Sequence, residues 1–140
     1  MIVLDSSFVI AYHNTRDAHH AAAARAMVHL SAGHWGQALL LEYVFLEIVT
    51  VLRVRRDVAV AAEVADQLLQ AREVDFVPCS DFFAETLSTF RTESAPLSLV
   101  DAAIVTVARR DKKGGYVATF DADFNDIAGI KVIPAGTVRA

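Results

Sequence analysis

The chain has 140 residues, of which 54% are hydrophobic, and its mean hydropathy is +0.37. This composition excludes a disordered segment and suffices for one hydrophobic core, so we predict a single domain over residues 1–140. The net charge of −4, from 13 basic and 17 acidic residues, argues against a protein that coats nucleic acids through general basic charge.

Hydrophobic periodicity and turn residues divide the chain into strands and helices. In chain order we predict a strand at Ile2–Leu4, helices at 8–12 and 19–30, a strand or helix entry at Ala38–Leu41, helices at 42–56 and 59–72, a strand at Val74–Val77, helices at 81–91 and 99–110, and strands at 116–119 and Ile130–Ile133. Short apolar strands separated by helices are typical of an α/β protein, with a parallel sheet covered by helices on both faces.

Ligands of such proteins bind outside the carboxyl ends of the strands, so the residues that follow each strand are the first candidates for a site. They are Asp5 after the first predicted strand and Asp121 and Asp123 after the fourth. Asp5 also fits a helix N-cap, and the other two also fit a solvated acidic turn. With Asp126 close behind, however, the acids at that turn repel one another, and a divalent cation would relieve the repulsion.

Asp101 lies near the start of predicted helix 99–110, which is otherwise apolar nearly all round and is therefore expected to be buried. Burying a carboxylate is costly unless a cation or several hydrogen-bond donors compensate. A capping box with Ser98 is one explanation, because Asp101 then accepts a hydrogen bond from the Ser98 amide. Metal binding is the other, and the two roles are compatible.

Predicted helix 42–56 carries two acids, Glu42 and Glu47, which cannot share a face because five residues correspond to about 140° around a helix. Glu42 opens the helix, where a carboxylate favours the positive end of the helix dipole. Glu47 lies among apolar neighbours such as Leu46 and Ile48. We therefore expect Glu47 to be buried and to be the acid that faces the site.

These candidates form an oxygen-only set, with no cysteine and no convincing histidine partner. Such a set selects hard divalent cations, namely Mg²⁺ or Mn²⁺. Two ions roughly 4 Å apart can activate a water and stabilise the leaving oxygen when a phosphodiester is cleaved in line. The residues thus indicate metal-dependent cleavage of phosphodiester bonds.

Four segments, taken in order, resemble the four acidic motifs of PIN-domain proteins, and in particular of the VapC-type toxin ribonucleases of VapBC toxin–antitoxin pairs. They are residues 5–7 (DSS), 43–47 (YVFLE), 97–102 (LSLVDA) and 119–124 (TFDADF). The similarity extends from Met1 to about Pro134 in the family's order and spacing. It implies a three-layer α/β/α PIN fold, RNA cleavage that depends on Mg²⁺ or Mn²⁺, a homodimer and a cognate VapB-type antitoxin.

The resemblance also implies residue roles. Four acids are expected to be catalytic: Asp5, Glu47, Asp101 and Asp121. Four aspartates are expected to bind metal, the last two sharing or exchanging one role: Asp5, Asp101, Asp121 and Asp123. Three hydroxyls are expected to support them by bonding an acid or a metal-bound water: Ser6, Ser7 and Thr119.

Other functions fit part of this pattern. A metal-dependent adhesion module begins D-x-S-x-S, but Val9 stands where the second serine is required. A phosphatase of the haloacid dehalogenase kind needs a second aspartate where Ser7 stands. A catalytically weak PIN domain that acts mainly by binding an antitoxin or another partner stays open.

Basic residues at two helix ends are candidate contacts to RNA phosphates: Arg53, Arg55, Arg56, Arg109 and Arg110. Cations also favour the negative end of a helix dipole, so these residues have a structural explanation as well. The five histidines lie near the start of the chain without zinc-ligand spacing, and we expect surface or capping roles for them.

The expected location is cytoplasmic, with no membrane partner. The single cysteine, Cys79, excludes an internal disulfide, no secretory signal precedes Asp5, and the longest uncharged run, 26–41, contains polar residues that a membrane span excludes. Setting the four catalytic candidates aside leaves 13 acidic and 13 basic residues. The net charge of −4 then belongs to a metal-free site, and RNA binding is expected to depend on metal.

Overall fold

The structure, a computed structural model, describes residues 1–134, which contain five strands and six α-helices. The strands are β1 (Ile2–Leu4), β2 (Ala38–Leu41), β3 (Val74–Val77), β4 (Gly115–Ala118) and β5 (Ile130–Ile133). The helices are α1 (Ser6–His13), α2 (His20–Ser31), α3 (Glu42–Arg55), α4 (Val58–Gln70), α5 (Phe83–Thr92) and α6 (Leu99–Ala108). The single domain over residues 1–140 stays a prediction, and its last six residues lie outside the described range.

All the strand pairs are parallel, and the strand order is β3-β2-β1-β4-β5. The chain moves one way from β1 to β3 and then returns to β4 on the other side of β1. Because crossovers between parallel strands are right-handed, this reversal places α1 to α4 on one face of the sheet and α5 and α6 on the other. The predicted α/β fold with helices on both faces is confirmed.

The centre of the core consists of β1 and α6. Every residue of β1 is buried, and so are the seven residues of α6 from Ala102 to Ala108, as the sequence predicted for this apolar helix. Strands covered on both faces have continuous apolar sequences, which is why β1 and β2 are recognisable. No helix within residues 1–134 combines the length and the apolar run that crossing a membrane requires.

Some boundaries differ from the predicted ones. Helix α1 begins at Ser6, two residues early, because Asp5 is the last residue with extended dihedral angles, at φ −92° and ψ 154°. The helix predicted over 81–91 starts as a 3-10 turn at Ser80–Phe82 before α5. Strand β4 begins at Gly115, where the backbone passes close to the end of α6.

The strand order reverses between β1 and β4, and ligands of doubly wound sheets bind at such a reversal, outside the carboxyl ends of the strands. Asp5 directly follows β1, while Thr119 and Asp121 follow β4. The fold therefore brings Asp5 and Thr119, which are 114 positions apart in the chain, to the same edge of the sheet.

Candidate active site

Asp5 is the most deeply buried acid of the site, with 5% of its surface exposed. Its Oδ2 accepts hydrogen bonds from Ser7 Oγ and Thr119 Oγ1, each at 2.7 Å. It occupies the N-cap position of α1, but its side chain makes no capping hydrogen bond. The carboxylate is thus held by two hydroxyls and directed across the sheet edge toward the loop after β4.

Further hydrogen bonds tie the ends of β1 and β4 together. The hydroxyls of Ser7 and Thr119 lie 3.2 Å apart. The Phe120 amide donates to Ser7 Oγ at 3.0 Å, and the Asp121 amide donates to Thr119 Oγ1 at 2.9 Å. Ser7 and Thr119, both predicted as supporting residues, therefore fix the position of Asp5 relative to Asp121.

Asp101 lies in the first turn of α6 and is half-buried. The capping box with Ser98 is present, because the Asp101 amide donates to Ser98 Oγ at 3.1 Å and the Ser98 amide donates to Asp101 Oδ2 at 3.2 Å. Burial raises the pKa of Asp101 to about 6, and the negative charges of Asp5 and Asp121 contribute to the rise. Asp101 therefore caps its helix and also shares an electrostatic environment with the acids after β1 and β4.

Burial likewise raises the pKa of Asp5, against the lowering effect of the Ser7 and Thr119 hydroxyls, and the charge of Asp121 adds to the rise. Within residues 1–134, no basic side chain forms an ion pair with Asp5, Asp101 or Asp121. Three carboxylates thus share one negative region without an internal cation. A bound divalent cation would stabilise their ionised forms.

Glu47 approaches the site from α3, where Ser6 Oγ donates to Glu47 Oε1 at 3.1 Å. The prediction that Glu47 is buried is wrong, because its side chain is exposed. Helix α3 buries a different stripe at four-residue spacing: Val44, Ile48 and Leu52. Leu46, one of the apolar neighbours behind the prediction, is itself 61% exposed. The other acid of α3, Glu42, accepts a hydrogen bond from the Cys79 amide at 2.7 Å, a contact within the fold.

The two acids after β4 occupy different places. The charge of Asp121 raises the pKa values of Asp5 and Asp101, and Asp121 Oδ1 accepts a hydrogen bond from the Asp123 amide at 2.9 Å. Asp123 is exposed and lines a separate cleft with Glu93. Of these two acids, Asp121 is the one that the structure brings to Asp5 and Asp101.

Arg109 and Arg110, two of the five predicted phosphate contacts, lie at the opposite end of α6 from Asp101. Arg109 pairs with Glu93, and Arg110 Nη2 lies 3.7 Å from a carboxylate oxygen of Glu85. These ion pairs connect the end of α6 to α5 and to the segment that follows it. The structure therefore does not bring Arg109 and Arg110 to the site.

A cleft of about 270 Å³ adjoins the acids between α1 and α3. Its walls consist of two short stripes and three loop residues: Ser6, Ser7 and Ile10 from α1, Glu47, Val51 and Arg55 from α3, and Asp17, His19 and Phe120. Arg55 is the predicted phosphate contact that lines this cleft, whereas Arg53 and Arg56 are exposed elsewhere at the end of α3. Asp17, His19 and Phe120 were not expected at the site, because spacing along the chain does not show which distant residues a loop contacts.

Within residues 1–134, no three His, Cys, Asp or Glu side chains form a ready-made ligand set for a metal ion. The side chains that meet at the site nevertheless offer oxygen atoms, which is the donor chemistry of hard divalent cations. Mg²⁺ commonly uses one or two carboxylates and completes its shell with waters and substrate phosphates. The pair Asp5 and Asp101, with Asp121 beside them, fits this open mode of binding.

The raised pKa of Asp101 predicts how the stability of the metal-free protein depends on pH. The carboxyl titrates near 3.8 when unfolded and at about 6 when folded, so the folded state binds more protons between these values. Its contribution to stability is therefore full below the lower pKa and is lost as pH rises through the folded pKa. Because Asp101 is partly exposed and water screens its charge, we expect a loss of about 1 kcal/mol.

Urea unfolding in chelator at about pH 4 and about pH 7 measures this loss for the wild type and for Asp101→Asn. The variant lacks the titrating group, so the wild type is expected to lose about 1 kcal/mol more than the variant between the two pH values. Equal changes in the two proteins would contradict the assignment.

The family model of the PIN domain matches residues 2–130 of the chain. No curated protein matches the sequence. A solved VapC toxin of Mycobacterium tuberculosis, described as sarcin–ricin loop cleaving, is 27% identical with a TM-score of 0.73, over 89% of this chain and 92% of that chain.

Two more distant structures are also similar. A toxin–antitoxin complex from Klebsiella pneumoniae is 16% identical with a TM-score of 0.64, over 94% of this chain and 96% of that chain. A VapBC complex from Rickettsia felis, bound to a DNA fragment from its promoter, is 12% identical with a TM-score of 0.67, over 94% and 97%. At these identities the likeness is one of fold.

Proposed function

Because this chain belongs to the PIN domain family, we propose that it is the ribonuclease toxin of a toxin–antitoxin pair and cleaves RNA phosphodiester bonds with the help of a divalent cation. The family resemblance seen in the sequence is confirmed by the match over residues 2–130. The observation that carries the proposal is the set of three electrostatically coupled carboxylates, Asp5, Asp101 and Asp121, at the carboxyl edge of this sheet.

We propose Mg²⁺ as the ion, with Mn²⁺ as a substitute, and Asp5, Asp101 and Asp121 as the residues that would hold it. Such a cation, when bound, polarises a phosphoryl oxygen and lowers the pKa of a coordinated water. Asp123 is left out of this set because its side chain lines another cleft.

The protein's own residues hold the acids in place before substrate arrives. Ser7 and Thr119 fix Oδ2 of Asp5, and the capping box fixes Asp101 at the start of α6. Groups fixed in advance need little reorganisation during reaction, which lowers the barrier. Glu47, exposed at the rim and bonded by Ser6, is the acid best placed to exchange a proton with solvent.

Removing metal is expected to abolish cleavage. With excess chelator, the cleavage rate of the purified protein should fall at least about 1,000-fold, because the charge stabilisation supplied by a cation is worth several kcal/mol. Added Mg²⁺ or Mn²⁺ should restore it. Suitable substrates are unstructured RNA and a sarcin–ricin loop hairpin, the RNA that the mycobacterial neighbour cleaves. Cleavage that persists in chelator, or that no divalent cation supports, would contradict the proposal.

A cognate VapB-type antitoxin and a second copy of this chain are the protein partners we propose. The neighbours that are toxin–antitoxin complexes support the first. For the second, Phe83, Leu87 and Phe90 form an exposed apolar stripe on α5, each 39–49% exposed, of the kind that protein contacts bury. The location we propose is the cytoplasm, where the RNA substrate is found.

A second candidate function is a PIN domain that binds partners and cleaves weakly. The observation that favours it is the lack of a ready-made three-residue ligand set within residues 1–134. Tight association with an antitoxin, without cleavage in any divalent cation, would support this alternative over the ribonuclease.

A further inference from the structure

The ring of His19 lies flat against the ring of Phe120, with centroids 4.4 Å apart and planes 7° from parallel. Phe120 is in turn nearly parallel to Phe8, at 6.0 Å and 17°. Phe8 is fully buried, whereas Phe120 and His19 are half-buried. The three rings therefore extend from the core to the surface, and the fold backs the His19 ring with a rigid support.

Local contacts fix where His19 stands. Asp17 Oδ1 accepts a hydrogen bond from the His19 amide at 2.8 Å. One residue further on, His20 Nδ1 lies 2.9 Å from the carbonyl oxygen of Ala11, which holds the start of α2 against α1. His19 itself makes no side-chain capping hydrogen bond, so a capping role, one of those expected from the sequence, does not account for it.

His19 and Phe120 line the same cleft as Ser7, whose hydroxyl donates to Asp5 and accepts from the Phe120 amide. Ser7 therefore links the wall of the cleft to Asp5 by a direct hydrogen bond. A ligand bound on the His19 ring would share the cleft with Ser7, the residue that holds Asp5.

The charges in the cleft determine which part of a ligand fits where. Arg55 lines the cleft and forms no ion pair within residues 1–134, so it is available to a phosphate. Asp17 and Glu47 also line it and repel phosphate. A flat and uncharged group therefore fits the His19 side, and an anionic group fits beside Arg55.

We propose that one unpaired RNA base stacks on the face of His19 that is turned away from Phe120, while the phosphate of that strand contacts Arg55. Every nucleobase has a π-face, so this base-stacking site favours single-stranded RNA and accepts any of the four bases. The stack holds the strand in the cleft next to the acids and makes His19 a residue that binds substrate. The inference rests on the proposed function, because it assumes that the substrate is RNA.

The test compares His19→Leu, which removes the planar ring, with His19→Tyr, which keeps one. The probes are single-stranded RNA oligonucleotides that carry 2-aminopurine, whose fluorescence falls on stacking, at each position in turn. Fluorescence is recorded immediately after mixing in Mg²⁺, and KM and kcat are measured separately. An aromatic stack on a base is worth enough for His19→Leu to raise KM about 5- to 100-fold, with kcat nearly unchanged. His19→Tyr is expected to keep both the wild-type KM and the quenching.

Each outcome decides between the proposals. Three results would contradict the base-stacking site on His19. They are wild-type KM and quenching in His19→Leu, loss of either in His19→Tyr, and no quenching by the wild type at any position. Cleavage by the wild type without quenching would contradict the base-stacking site but support the proposed function. Quenching without cleavage would support the base-stacking site but contradict the proposed function. If His19→Leu weakens antitoxin binding but leaves RNA binding intact, the cleft binds a protein partner, and the base-stacking site is contradicted.

Discussion

Replacing Asp101 by asparagine is expected to lower metal-dependent RNA cleavage at least about 1,000-fold, because the variant lacks a charge that holds the cation and a bound cation stabilises the reacting phosphate by several kcal/mol. Asparagine keeps the size of the side chain, and its amide oxygen can still accept the hydrogen bond from the Ser98 amide. Helix α6 therefore keeps its cap. Since burial raises the pKa of Asp101, removing its charge is expected to stabilise the metal-free protein by about 1 kcal/mol.

The matched control is Asp123→Asn, which makes the same chemical change at an exposed residue that lines another cleft. Its cleavage rate is expected to stay within about threefold of the wild type, as for most surface changes away from a site. Single-turnover rates with saturating RNA and thermal unfolding in chelator measure both effects. A wild-type rate in Asp101→Asn, or an equal loss in Asp123→Asn, would show that the acids have been assigned wrongly.

Replacing Gly115 by alanine is expected to destabilise the fold by at least about 3 kcal/mol, at the upper end of what overpacking costs. A Cβ at this position would lie 2.1 Å from the carbonyl oxygen of Ala108 and 2.8 Å from its carbonyl carbon. Both are backbone atoms at the end of α6, so no side chain can rotate away to make room. The helix would have to move away from β4, against which it packs.

The control for Gly115→Ala is Gly33→Ala. Gly33 has a positive φ of 78°, yet a Cβ there meets no atom within 4 Å. Its replacement is expected to cost about 1 kcal/mol, from backbone strain alone. Urea unfolding of the two variants separates steric contact from strain. Equal stabilities would contradict the close approach of α6 to β4. Because α6 carries Asp101 at its other end, Gly115→Ala is also expected to lower cleavage.

Much of the fold follows from local sequence. The bounds of β1, β2, β3 and β5 agree with the predicted ones. Strands β1 and β2 are apolar runs that an acid follows, whereas β3 and β5 are mostly β-branched and aromatic residues that a proline follows. Helix α6 is recognisable for a similar reason, since its apolar residues extend all round the helix. The pattern of apolar residues along an element predicts whether one side of it or all of it is buried in the core.

Part of the site is visible in the same way. A carboxylate at the end of a buried strand, as with Asp5, or at the start of a buried helix, as with Asp101, departs from the apolar pattern and needs a physical explanation. Glu47 was expected to be buried because its neighbours are apolar, but Leu46 faces solvent and the buried stripe of α3 passes on another side. Local composition does not determine which side of a helix the sheet covers.

Other features depend on contacts between distant loops, which no spacing along the chain reveals. The stacking of His19 on Phe120 joins the segment before α2 to the segment after β4. The internal ion pair of Arg109 with Glu93 joins the end of α6 to the end of α5. From the sequence we expected only a surface or capping role for His19. For Arg109 we expected a cation at a helix end or a contact to phosphate.

The hydrogen bond between Thr119 and Asp5 has a consequence for the protein during its synthesis. A ribosome makes Asp5 more than a hundred residues before Thr119, its hydrogen-bond partner after β4, and before the adjoining Asp121. Until β4 docks beside β1, the acids already made, Asp5, Glu47 and Asp101, lack the contacts that complete the site. Translation products that stop before residue 119 are therefore expected to be inactive toward RNA, including the RNA of the ribosome that makes them.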